Sequence, residues 1–320
     1  MIEVLTVVLP VFGLIAIGFA AARFNVVAAE ALTGLRFFLF YLALPALIFQ
    51  LVAATPLAGT NLLAFALTAT FATYCAFAIA FSIAALLNRG HVPDATIEGL
   101  VGSESEVTYM GPAVALAAFG SAAAAPMALV LAVHGAMIAA MTPLMMALGG
   151  SGRSDPALLA EKVARQMFLN PLVLAAIAGF AAAAIRLRLP GPIDAFFTLL
   201  RQAAPAVALF ALGAGLPFRP IDTIRAEVPA LLAVQLLGHP LIVYLLLNWV
   251  GGFDRVWVET AVLMAALPPA SRVLALAEEH GIATDRIASI VLLATVVSIA
   301  TVTIAVALLL TDLLPLRTLR

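Results

Sequence analysis

The chain has 320 residues, of which 64% are hydrophobic and 10% charged, with a formal net charge of −1 and a mean hydropathy of +1.16. Soluble domains carry about a quarter charged residues, so this composition excludes one and leaves a chain whose apolar surface meets lipid. The sixteen Lys and Arg are scattered singly and form no basic stripe, which removes nucleic acid from the list of partners.

A helix needs about twenty apolar residues to cross the hydrocarbon core. Such windows fall at 4–22, 35–52, 61–87, 95–119, 126–148, 165–185, 193–216, 227–250, 256–280 and 285–312, so ten membrane segments are expected, the fourth and ninth of them interrupted. The first window is read as a retained helix and not a signal peptide, because Glu3 precedes it and the first basic residue, Arg23, follows it. The third holds the single cysteine, Cys75, in an apolar run, which excludes an intramolecular disulfide and a Cys-based metal cluster. His91, His134, His239 and His280 are dispersed without ligand spacing, so no metal centre, cofactor or catalytic group is expected, and His134, alone on an apolar helix, reads as a core residue.

The fourth window carries Glu98, Glu104 and Glu106. Glu98 stands near one end and is expected to snorkel outward; Glu104 and Glu106 are too deep for that and too costly to expose to lipid. Residues two apart on a helix point about 200° away from each other, so a break, assigned to Gly111 and Pro112, is needed to turn both carboxylates inward, with the freed backbone carbonyls and amides expected to face a water-filled cavity. The seventh window holds Gln202, just before Pro205, which could reach the same cavity, and Arg201, expected to snorkel outward. Gln50 and Gln235 read as hydrogen-bonding partners between helices, and Trp249 and Trp257 as interfacial anchors. The ninth window is broken by Pro268 and Pro269, with Ser271 and Arg272 directly after, and a deep Arg on a broken helix marks a functional site.

The polar stretch 150–164 divides the chain into halves, 1–149 and 165–320, joined by a cytoplasmic linker. Pro10 and Pro171, Pro45 and Pro205, and Gly111-Pro112 and Pro268-Pro269 recur at corresponding places in the two halves. Five segments per half is an odd number, so the second half enters the membrane inverted, the arrangement of alternating-access carriers. Loops on one side hold Arg23, Arg36, Arg89, Arg153, Lys162, Arg165, Arg219, Arg225 and Arg286, against Arg186, Arg188, Arg255, Arg317 and Arg320 on the other. The first set is cytoplasmic by the positive-inside rule, which puts both termini in the periplasm of an inner-membrane protein.

Leu9-Pro-Val-Phe-Gly13, Tyr41-Leu-Ala-Leu-Pro45, Tyr109-Met-Gly-Pro112, Asn170-Pro-Leu-Val173, His239-Pro-Leu241 and Leu267-Pro-Pro-Ala-Ser271, in that order along the chain, resemble the auxin efflux carrier family. The resemblance implies an all-α fold of ten transmembrane helices, two inverted five-helix repeats similar to plant PIN carriers and bile-acid symporters, with helices 4 and 9 crossing at their breaks. It also implies transport of a small organic anion such as a mono- or dicarboxylate bound beside that crossing. Family members commonly carry Asn where this chain has Glu106 and Arg272, and often a Lys where it has Gln235, so two neutral amides have become an acid and a base. The substrate-binding candidates are therefore Arg272, Glu106, Ser271, Tyr109 and Gln202, with Glu104 or Glu106 as coupling groups. The expected partners are a small carboxylate, a proton or sodium as coupling ion, the bilayer, and, as an open option, a second copy in a homodimer. Arg272 is expected to pair with Glu106, or else with Glu104. A non-transporting receptor or scaffold locked by such a pair, and an intramembrane enzyme using Glu104, Glu106 and His134, are the competing readings.

Overall fold

The computed structural model describes residues 2–55, 61–88, 90–149, 161, 164–165, 169–217 and 227–311. The expected linker 150–164 lies outside the described residues except for 161 and 164, as do the basic residues Arg89, Arg153, Lys162, Arg219, Arg225, Arg317 and Arg320. Among the described residues the chain is helical, with one isolated antiparallel bridge between Ser105 and Pro269.

Helix α1 is Ile2–Arg23. The second segment is two helices, α2 (Ala29–Phe38) and α3 (Leu44–Ala53), joined through a π turn at Leu39–Ala43. Then come α4 (Leu62–Leu87), α5 (Val92–Val101), α6 (Gly111–Phe119), α7 (Ala124–Leu148), α8 (Pro171–Ala184) and α9 (Gly191–Ala214). Next, α10 (Glu227–Ala233) and α11 (His239–Val250) are joined through a π turn at Val234–Gly238, as α2 and α3 are joined through theirs. The chain continues with α12 (Arg255–Ala265), α13 (Ser271–His280) and α14 (Thr284–Leu310). Each π turn ends two residues before a proline, Pro45 or Pro240, whose missing N–H and bulky ring disturb the regular ladder.

Seven of these helices or joined helices are long and apolar enough to cross a membrane: Ile2–Arg23, Glu30–Ala53, Leu62–Leu87, Gly111–Ala132, Gly191–Ala214, Glu227–Val250 and Thr284–Leu310. The short helices α5 and α13, each on one side of a break, are not among them. Val92–Val101 and Ser271–His280 have ten residues each, about 15 Å at the helical rise and half a bilayer core.

Helices α1, α3, α8 and α9 pack as one group, and most of the remaining helices gather around the two interrupted segments. Within the first group α1 meets α9 backbone to backbone. A Cβ added at Gly18 would collide with the carbonyl of Phe210, and one at Gly213 with the carbonyl of Ile15, which is the close approach small residues permit between membrane helices. Gly179 plays the same part between α8 and α3, lying against Val52 and the carbonyl of Phe49.

Two sequence expectations fail on burial. Trp257 is buried and packs edge-on against Phe65, with ring centroids 5.0 Å apart at 86°, so only Trp249, exposed at the end of α11, sits where an interfacial anchor belongs. Glu98 does not snorkel. It is buried, it accepts a 2.9 Å hydrogen bond from Asn88 and it pairs at 2.5 Å with Arg286, which also reaches Glu227 at 3.3 Å. Turned into the bundle, a carboxylate at this depth needs a cation, and Arg286 at the head of α14 supplies it.

Candidate crossover site

Two unwound stretches, 102–110 between α5 and α6 and 266–270 between α12 and α13, meet in the middle of the protein. Their backbones satisfy each other: Glu106 N–H donates to the Pro268 carbonyl at 2.8 Å and Ala270 N–H to the Glu104 carbonyl at 2.7 Å. This corrects the expectation that the freed backbone groups face a cavity, since a buried amide and carbonyl brought side by side pair more cheaply than either hydrates in a confined space. It also moves the first break. Gly111 and Pro112 form the opening turn of α6, where proline's fixed φ and absent N–H cost nothing, and the unwinding precedes them. Pro268 and Pro269 lie inside the second unwound stretch.

The bridge sets the direction of each acidic side chain. Glu104 is fully buried and its Oε1 accepts from the Arg272 guanidinium at 2.7 Å, while Oε2 lies 3.2 Å from His134 Nε2 on α7. Glu106 turns the other way, and its Oε2 accepts from both the Ser271 N–H at 2.8 Å and the Ser271 hydroxyl at 2.9 Å. The first turn of α13 is therefore capped by a carboxylate from the opposite break, a favourable place for negative charge. Of the two pairings expected for Arg272, the one realised is with Glu104, and Glu106 is held by Ser271 instead.

Behind the bridge, Gln235 in the second π turn donates to Ser105 Oγ and to the Leu267 carbonyl, both at 2.8 Å, and Ser105 donates to the Ala265 carbonyl at 3.0 Å. Gln235 thus ties together the two breaks, where its expected role was only to join helices. His239 sits between Thr73 Oγ1 (3.2 Å) and Ser105 Oγ (3.4 Å), and its ring stacks on that of His134 with centroids 6.4 Å apart. The reading of His134 as an isolated core residue is corrected here: it lies against Glu104. Neither histidine carries a sequence signal, because their partners come from segments 30 to 166 residues away.

Arg272 opens onto a cavity of about 450 Å³ lined by Tyr41, Thr142, Arg165, Asn170 and Glu279 among others. Its side chain keeps 40% exposure while that of Glu104 has none. A second, small cavity of about 20 Å³, enough for one water, is lined by Thr70, Thr73, His134, His239 and apolar neighbours. Along α7, Val130 and His134 line the small cavity and Gly135, Thr142 and Pro143 the large one, so the two lie on opposite sides of the crossing.

The remaining candidates are placed less centrally. Tyr109 is half-buried, three residues past Glu106. Gln202 is not part of the site: it is exposed, on the face of α9 opposite the buried Ala204 and Ala208, and does not line the Arg272 cavity. Arg201 lines a wide cleft of about 910 Å³ at the far end of α9 together with Arg186, Arg188 and Asp194, which accepts from Gln50 at 2.7 Å. Among the described residues no three His, Cys, Asp or Glu side chains are grouped as a metal ion would require.

A family model described as membrane transport protein matches residues 3–306. The chain is also similar to a protein of Rhizobium meliloti (strain 1021) named "Putative malonate transporter", 40% identical over 303 residues that cover 95% of both chains. A match that spans both interrupted segments and the bridge between them settles the affiliation, and the chain belongs to the membrane transport protein family, the auxin efflux carriers.

Proposed function

We propose that the protein is a secondary carrier that moves a small carboxylate by alternating access, with Arg272 as the anion-binding group. The observation that carries this reading is a guanidinium held at the crossing of two broken helices by a fully buried carboxylate, yet two-fifths exposed to a cavity large enough for a small organic acid. Arg presents a planar fork to a carboxylate, so a substrate entering the cavity takes the place of Glu104 on it. The relative's name supports a dicarboxylate such as malonate.

In the same reading the chain has ten segments in two inverted halves. Support comes from the glycines: Gly18 and Gly179 each follow their helix proline by eight residues (10 to 18, 171 to 179), and each meets a phenylalanine carbonyl, of Phe210 and of Phe49, across its helix pair. With both termini outside, the Arg272 cavity opens toward the cytoplasm between the C-terminal half of α7, the start of α8 and the end of α13. A crossover locked by the Glu104–Arg272 pair, as in a receptor or scaffold, is the competing reading, and the exposure of Arg272 speaks against it.

The test is counterflow in proteoliposomes: protein preloaded with unlabelled malonate should accumulate labelled malonate saturably, and a panel of mono- and dicarboxylates should compete. Failure of every carboxylate to exchange or compete overturns the carrier reading.

A further inference from the structure

The proposed carrier site uses Arg272 and its partner Glu104 but leaves His134, the small cavity and the second oxygen of Glu104 without a part. We infer that His134 and Glu104 form a proton-transfer pair that couples transport to the proton, with the proton reaching Glu104 through the small cavity and the substrate reaching Arg272 on the other face of the crossing, both loaded from the same side of the membrane. The inference rests on the carrier reading and extends it to the coupling ion.

The two oxygens of Glu104 divide between the two sides of the crossing. Oε1 bonds Arg272, which faces the 450 Å³ cavity, and Oε2 lies 3.2 Å from His134 Nε2, which lines the 20 Å³ one. Among the described residues the charged or titratable groups around this carboxylate are Arg272 from α13, His134 from α7, His239 from α11 stacked behind His134, and Glu106 from its own stretch, whose carboxylate is held by Ser271. Arg272 is therefore its one strong cationic partner.

Charge accounting follows directly. Without substrate, the guanidinium and the Glu104 carboxylate cancel. When a substrate carboxylate takes Arg272, Glu104 is left as a second negative charge in a buried position, which is costly. One proton removes that cost: a hydronium reaching the small cavity gives its proton to His134 Nδ1 as the Nε2 proton moves to Glu104 Oε2, so one O–H bond and the Nε2–H bond break while the Nδ1–H and Oε2–H bonds form. Exchange with cavity water returns the ring proton from Nδ1 to Nε2 before the next cycle. The crossing then holds Arg272 and one substrate carboxylate with a neutral Glu104, so it is uncharged with and without substrate. When the substrate leaves, Glu104 releases its proton to the cavity that Arg272 faces and pairs with Arg272 again. Proton and substrate travel together, one per carboxylate bound to Arg272.

Malonate uptake into proteoliposomes, measured with the membrane potential clamped, tests this directly. An acid exterior should drive accumulation of about tenfold per pH unit at one proton per substrate, and a sodium gradient at equal pH should drive none. His134→Asn, checked for monodispersity, should lose pH-driven accumulation, and its malonate counterflow should be slowed at neutral pH and recover when both sides are acid, where Glu104 takes its proton from the large cavity. Wild-type protein that exchanges malonate but ignores the pH gradient, or follows sodium, overturns the proton pair and leaves the carrier reading standing. A His134→Asn protein that keeps pH-driven accumulation, or whose counterflow does not recover when both sides are acid, removes His134 from the proton path. Absence of exchange in the wild type under every condition overturns the carrier reading itself.

Discussion

Replacing Arg272 by Ala removes the cation from a carboxylate with no exposed surface. Breaking a buried ion pair costs about 3–5 kcal/mol and an exposed one about 0–1 kcal/mol. Glu104 belongs to the first class, but Arg272 is 40% exposed and water in the cavity partly screens the pair, so a loss of about 2–3 kcal/mol is expected. The stranded carboxylate is the cause, so Glu104→Gln in the Arg272→Ala background should restore most of that stability. The double-mutant cycle should then show a coupling above about 1 kcal/mol. Equilibrium unfolding in mixed micelles gives the four stabilities. Malonate affinity should fall in the same variant by the worth of a charge-assisted hydrogen bond, about 1.5–3 kcal/mol, or about 10- to 150-fold, and Glu104→Gln should not restore it. Wild-type stability in Arg272→Ala, or strictly additive effects in the double variant, would refute the pairing; unchanged malonate affinity would refute the substrate role.

Gly213→Ala places a Cβ against the Ile15 carbonyl and should destabilise by about 1–3 kcal/mol, whereas Gly13→Ala on α1, with nothing within 4 Å of the new atom, should be neutral or slightly stabilising in the same unfolding assay. Arg286→Met strands the buried Glu98 and should cost about 3–5 kcal/mol, with partial recovery on adding Glu98→Gln. Glu106→Ala removes the acceptor for two Ser271 bonds at the start of α13 and should cost about 1–2 kcal/mol, with Glu106→Gln milder because an oxygen remains. In a Cys75→Ala background, a cysteine at position 187 should react with an impermeant thiol reagent on cells with a permeable outer membrane and one at position 91 should not; the reverse pattern would invert the proposed topology.

Much of the architecture follows from composition alone. A chain with so few charges must confine them, and the long apolar windows therefore mark candidate membrane helices, while Glu104 and Glu106 in the fourth window and Pro268 and Pro269 in the ninth stand in the stretches that unwind. Glu104 and Arg272 stand out in the sequence because a charge in an apolar window needs a buried partner. Which glutamate meets Arg272 was not legible. Glu104 and Glu106 lie at nearly one depth, and their directions are set by the two backbone bonds to Pro268 and Ala270, contacts between residues more than 160 positions apart. Gln202 was misplaced because its neighbour Pro205 says nothing about which face of α9 is buried, and Ala204 and Ala208 put that face on the opposite side. His134 and His239 look like solitary polar residues along the chain; they acquire meaning only when α7 and α11 bring them to one cavity beside Glu104. Local pattern determines where a chain is apolar and where it bends, whereas the partner of a buried charge depends on which distant segments the bends bring together, and only the packed structure decides that.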